Sequence, residues 1–187
     1  MPRQLRPERH PGIRPRPTIW RRLDAAARRA LPVTFSVLLL LLLCAPLGLP
    51  QQQEMLPAGA MASVFFWSVF RPASMPAIMV FLLGLLIDLL SFSPPGIAIL
   101  TLLIVHAIGL GGRHALMRRG FLVVWLVFLL VAACVTTLDW ALMSAFSQRL
   151  LPPQPALFEL ALAAGLYPLL SALFTWAHRG IADPTLA

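Results

Sequence analysis

The chain contains no lysine and no asparagine, and only 12% of its residues are charged. Without asparagine it has no N-glycosylation acceptor. With so little charge, 187 residues cannot cover the surface of a soluble domain. Cysteine is scarce as well. Cys44 and Cys134 are the only two, and each lies inside an apolar run, where packing is the ordinary role. No Cys/His spacing suits a metal, and no glycine-rich phosphate loop occurs. These absences leave no sign of a cofactor.

What the chain has instead is apolar length. Hydrophobic residues make up 59% of it, and the mean hydropathy is +0.81. A membrane-crossing helix needs about 20 apolar residues, so there is room for several and for little else. Six apolar runs can be traced, roughly 33–49, 55–70, 75–92, 96–112, 120–146 and 155–177. They predict an all-α integral membrane protein with six transmembrane helices, five being the alternative count.

All 15 basic residues are arginine, and nine of them precede residue 30. Arg71 follows the second run, "GRHALMRR" follows the fourth, and Arg149 and Arg179 flank the last. With six spans and the N-terminus inside, 14 of the 15 fall on the cytoplasmic side. Five spans break that pattern, because short basic loops stay inside. The net charge of +8 is therefore a topology signal and not a nucleic-acid footprint.

The expected organisation is a cytoplasmic Arg/Pro-rich tail over 1–30, a membrane domain over 31–180 and a short cytoplasmic tail over 181–187. Residues 1–18 hold five prolines and five arginines and predict disorder. The stretch "IWRRLDAAARRA" (19–30) reads as a helix. It either lies on the anionic membrane surface or extends the first span. Cys44 follows a leucine run, as a lipoprotein cleavage site does, but Leu43 stands where a small residue is wanted. The N-terminus is expected to be retained.

Four ionisable residues interrupt the runs: Asp88, His106, Asp139 and Glu159. At 1.5 Å per residue, Asp88 and Glu159 sit roughly 6 Å and Asp139 roughly 10 Å below the outer surface. His106 lies deeper, where an interhelical hydrogen bond is the ordinary role. A carboxylate at the centre of a membrane helix costs about 2.5–3.5 kcal/mol. Asp139 and Glu159 are candidates for snorkelling to water. Asp88 is too short to reach far, and near a helix C-terminus it opposes the dipole. It needs a donor, a proton or a wet pocket. Arg71 followed by Pro72 reads as the cytoplasmic start of the third helix. Enzyme readings are poorly supported. "GLLID" lacks the Gly-x-Gly-Asp of presenilin-type proteases, and lipoprotein signal peptidases place an asparagine near their aspartates.

The segment "FRPASMPAIMVFLLGLLIDLLSFSPPGIAIL" (70–100) carries a recognisable order of motifs: "FRP" at 70–72, "GLLID" at 84–88 and "PPG" at 94–96. In that order and spacing it resembles the bacterial rod shape-determining protein MreD family. The resemblance implies a non-enzymatic component of the cell-elongation machinery in the inner membrane, with both termini cytoplasmic. The implied partners are an MreC-like bitopic protein, MreB, RodA and a class B penicillin-binding protein, with anionic lipids at the basic tail. The family is also similar to the six-helix substrate-binding subunits of energy-coupling-factor vitamin transporters. That makes a small-molecule transport subunit the alternative. Such subunits need aromatic groups around an outer pocket, and here Trp140 and Tyr167 are the main candidates, which favours a scaffold. The residues expected to hold the bundle or a partner are Arg71, Pro72, Gly84, Asp88, Pro95, Gly96, Asp139 and Glu159. In this reading Gly84 admits a neighbouring backbone, and Pro95-Gly96 turn the chain.

Overall fold

A computed structural model of the chain describes residues 19–45, 54–91 and 94–182, with side chains at residue 30 and at 32–45, 54–91 and 94–175. Within these residues every regular element is helical. The helices are α1 (Ile19–Cys44), α2 (Met55–Phe70), α3 (Ala77–Leu90), α4 (Ile97–Leu116), α5 (Phe121–Phe146) and α6 (Gln154–Ala182). The last five coincide closely with the second to sixth apolar runs, whereas α1 begins 14 residues before the first run, at Ile19. Of the expected tails over 1–30 and 181–187, residues 1–18 and 183–187 lie outside the described residues, and residues 181–182 still belong to α6. The 19–30 stretch is not a separate surface helix, since α1 runs unbroken through it to Cys44.

Three helices are long and apolar enough to cross a membrane unaided: Ile97–Leu116, Phe121–Phe146 and Gln154–Thr175. The apolar parts of the other three, Pro32–Cys44, Met55–Phe70 and Ala77–Leu90, are shorter. The shortness of α2 has a packing reason. Thirteen of its 16 residues are buried, on every side of the helix. It is the central post, with α1, α4 and α6 against it. A helix sheathed in protein does not have to match the thickness of the lipid. Its first half, Ala58-Gly59-Ala60-Met61-Ala62-Ser63, is small enough to let neighbours approach. Its second half is aromatic. Phe65 lies 5.3 Å from Phe128, and Phe66 and Trp67 each lie 5.0 Å from Phe174.

Several hydroxyls inside the bundle bond locally or between helices, as lipid surroundings favour. Thr101, Thr136, Thr137 and Thr175 each donate to the carbonyl four residues back. The Ser36 and Ser63 hydroxyls meet at 2.6 Å and tie α1 to α2. Pro168 cannot bond the Ala164 carbonyl within α6, and the Trp125 indole of α5 donates to that oxygen instead at 3.1 Å. Cys44 and Cys134 are free thiols on different helices.

The helices alternate in direction. One cavity gathers the starts of α2, α4 and α6 with the ends of α3 and α5. Another, at the opposite end, gathers the end of α2, the start of α5 and the later part of α6. Four carboxyls lie at the first end, and Arg71, Arg113, Arg118 and Arg119 lie at the second. Arg113 and His114 occupy the last turn of α4, where positive charge complements the helix dipole.

Candidate functional site

The third helix does not begin as expected. Arg71 closes α2, its N–H bonding the Trp67 carbonyl at 2.8 Å. Pro72 opens a single 3-10 turn, Pro72–Ser74, and α3 starts only after Pro76. The correction follows from proline chemistry. The chain has two prolines here, and the second one directly precedes the helix.

At its other end α3 meets α4 in a tight hairpin. Pro94-Pro95-Gly96 make the turn, with Gly96 at φ 102°, a left-handed conformation that glycine adopts freely. Gly84 sets the spacing between the helices. A Cβ there would lie 2.6 Å from Ile99 Cα and 2.9 Å from Ile99 N, so only hydrogen fits.

This closeness brings Asp88 to the start of α4. One carboxylate oxygen accepts the Gly96 N–H at 2.7 Å, and the other accepts the Ala98 N–H at 3.0 Å. The side chain is 7% exposed. The first N–H groups of any helix lack an intrahelical partner, and a negative charge there is favoured by the dipole. Asp88 opposes the dipole of its own helix and answers that of the next. Its donors come from within the chain, and they offset the cost of burying the carboxylate.

Asp139 and Glu159 do not join Asp88. With Glu54, which ends the loop before α2, they line a cavity of about 160 Å³ beside the hairpin. Its other walls include Met61, Ile87, Leu102, Val135 and Met143. The three acids face the same space. Glu159 is buried, and none of the three bonds to any described residue. Burial pushes the Glu54 carboxyl above its ordinary value. The sequence reading missed Glu54 by treating it as a loop boundary. Its signal was an acid at a helix start on the same end as the others.

His106 has a structural partner. The Ser68 hydroxyl lies 2.6 Å from the Val64 carbonyl and 2.7 Å from His106 Nδ1. A carbonyl can only accept, so the single hydroxyl proton goes to Val64 and Nδ1–H donates to Ser68. His106 thus links α4 to α2. Neither aromatic expected at an outer pocket lines the acid cavity. Trp140 donates to the Leu151 carbonyl at 3.0 Å and fastens the α5–α6 loop. Tyr167 stacks on Phe128 at 4.3 Å and lines the cavity at the arginine end.

The arrangement is that of a small helical membrane protein. Residues 28–176 match the model of the family described as rod shape-determining protein MreD. That is well over half of the chain, and the chain belongs to this family. No curated protein and no solved structure matches it. Its role is therefore in rod-shape determination.

Proposed function

We propose that the chain is a non-enzymatic scaffold of the cell-elongation machinery. It would sit in the bacterial cytoplasmic membrane and link an MreC-like protein and MreB filaments to RodA and a class B penicillin-binding protein. One observation carries this reading. Asp88 ties α3 to the start of α4, while Ile78, Phe81, Leu82, Leu85 and Leu89 form an apolar face of α3 that no other described residue covers. No connection between helices exceeds ten residues, the longest being 45–54. Helix faces therefore have to do the work of engaging partners. A mobile α3 would lose that register, which gives Asp88 its value. The basic tail would add attraction to anionic lipids.

Co-purification with the MreC-like protein tests the reading. Changing Leu82 and Leu89 together to Ser alters the bare face without touching the core. The expected result is a folded protein that loses its partner and rounds the cells. Full binding and normal rods would refute the scaffold. The membrane orientation has its own check. Reporter fusions after residues 54, 94 and 152 are expected outside the cytoplasm, and a cytoplasmic signal at 152 would end the six-span topology.

The acid cavity favours a second reading, a transport subunit for a small molecule. It requires an uptake defect in Glu159→Gln cells whose shape is normal.

A further inference from the structure

We propose that the acid-lined cavity between α2 and the outer turns of α3–α6 binds a positively charged nitrogen group, a guanidinium or an alkylammonium, through Glu159, Asp139 and Glu54. The inference goes beyond the scaffold reading and does not depend on it.

Glu159 is the key. It is 4% exposed, it lies in the cavity wall, and it accepts no hydrogen bond from any described residue. Buried carboxyls normally have donors, because burial without one is costly. Asp88 shows how this chain satisfies such a group when the purpose is structural. It places two backbone N–H groups on the two oxygens. Nothing comparable is built around Glu159, and two more acids face the same space. No arginine or histidine lines the cavity, so no cationic side chain of its wall answers these carboxyls.

The geometry narrows the occupant. Among the described residues no three of His, Cys, Asp and Glu are grouped to hold a metal ion. The acids surround a space of about 160 Å³ and do not converge on a point. A cationic nitrogen with several N–H donors can reach carboxyls spread in this way. Met61, Val135 and Met143 offer apolar wall to an attached alkyl chain. That chemistry has two sources: a free amine or guanidine, and an arginine or lysine side chain of a neighbouring protein.

The probes are n-butylguanidinium and n-butylammonium, with n-butanol as the uncharged control. They are titrated by calorimetry into the full chain in phosphatidylcholine nanodiscs. Both cations are expected to bind and n-butanol is not. Glu159→Gln is expected to weaken binding by about thirtyfold or more, the loss that follows truncation of a buried charge pair. Asp139→Asn is the second variant and is expected to weaken it less. Helicity by circular dichroism identifies any variant that has failed to fold. Cations that bind no better than n-butanol, or equally well to both variants, overturn the proposal. Repeating the titration on chain excised from its own membrane with neighbours attached identifies the source. Affinity lost there assigns the site to a neighbour's side chain, and affinity retained assigns it to a free amine. Since binding is read on the purified chain, a failed scaffold reading and a failed cation site give different results.

Discussion

Two neighbouring regions at the acid end treat the same kind of group in opposite ways. In the α3–α4 hairpin, the Asp88 carboxylate holds the Gly96 and Ala98 N–H groups at 2.7 and 3.0 Å. Across the adjacent cavity, Glu159 is equally buried and bonds to no described residue. The hairpin is closed chemistry, in which both Asp88 oxygens have found an internal partner and the helices touch through Gly84. The cavity is open chemistry. Burying a polar group without a partner is expensive, so the difference marks one carboxyl as part of the framework and the other as available. Removing the first should cost stability. Removing the second should cost function and leave stability intact.

The largest effect is expected at the closest contact. Gly84→Leu places a Cβ where Ile99 Cα would be 2.6 Å away. A backbone cannot give way as a side chain can, so α3 and α4 must separate. The expected loss is at or above the upper end of ordinary overpacking, about 3 kcal/mol. Thermal unfolding in lipid discs reads it directly. A melting temperature like that of the unaltered chain would show that the hairpin is looser than the contact implies.

Asp88→Leu comes next. The insertion cost of the acid disappears, but two N–H donors lose their acceptor, each worth about 1–3 kcal/mol when left unsatisfied. The net expectation is destabilisation by about 2 kcal/mol, confined to the hairpin and visible as faster amide exchange at Gly96 and Ala98. Asp88→Asn retains one acceptor oxygen and turns an NH2 toward the other donor, so it should fall between. If Asp88→Leu is as stable as the unaltered chain, the two hydrogen bonds are not what holds α4.

Much of this comparison could be read in the sequence, and the unread part has a physical reason. The bounds of α2, α3 and α4 were legible because proline, glycine or arginine lies at or near the ends of their apolar runs, whereas the start of α1 within the arginine-rich stretch was not. The spacing role of Gly84 and the turn at Pro95-Gly96 were legible from residue type. The partner of Asp88 was not, because its donors are backbone groups that carry no sequence signature. The prolines and glycine at 94–96, just after Asp88, do encode a helix start after a tight turn, which is the clue that was available. The centrality of α2 was also hidden. Hydropathy cannot separate a short span in thin lipid from a short helix sheathed in protein, although the run of small residues at 58–63 pointed to close packing. The convergence of Asp139 and Glu159 was visible only as a shared depth, and the inclusion of Glu54 was not visible at all.

Glu159→Gln is the reverse of the hairpin variants. It removes a buried carboxyl that no described residue supports and leaves an amide of the same shape. Stability should hold or rise by less than about 1 kcal/mol, within the usual range for near-isosteric changes that break no contact. A loss as large as that of Asp88→Leu would mean that Glu159 is framework after all, and the contrast between the two regions would collapse.

The smallest effect belongs to Glu54, at the mouth of the same cavity, and it appears as a pH dependence. Burial raises its carboxyl above the ordinary value of 4.5. The folded chain therefore holds this proton more tightly than the unfolded chain does, and protonation favours folding. Below the unfolded value both states are protonated and the carboxyl adds no penalty. As pH rises through the raised folded value, the proton is lost against the pull of burial, and stability falls to a lower plateau. Glu54→Gln cannot lose a proton, so its contribution should be flat over the same window. The measurement is melting temperature against pH for both chains in uncharged lipid discs. The curves should meet at acid pH and part as pH rises, with the unaltered chain below. If they stay parallel throughout, Glu54 is solvated like an ordinary loop acid, and the cavity is left with two acids at its wall.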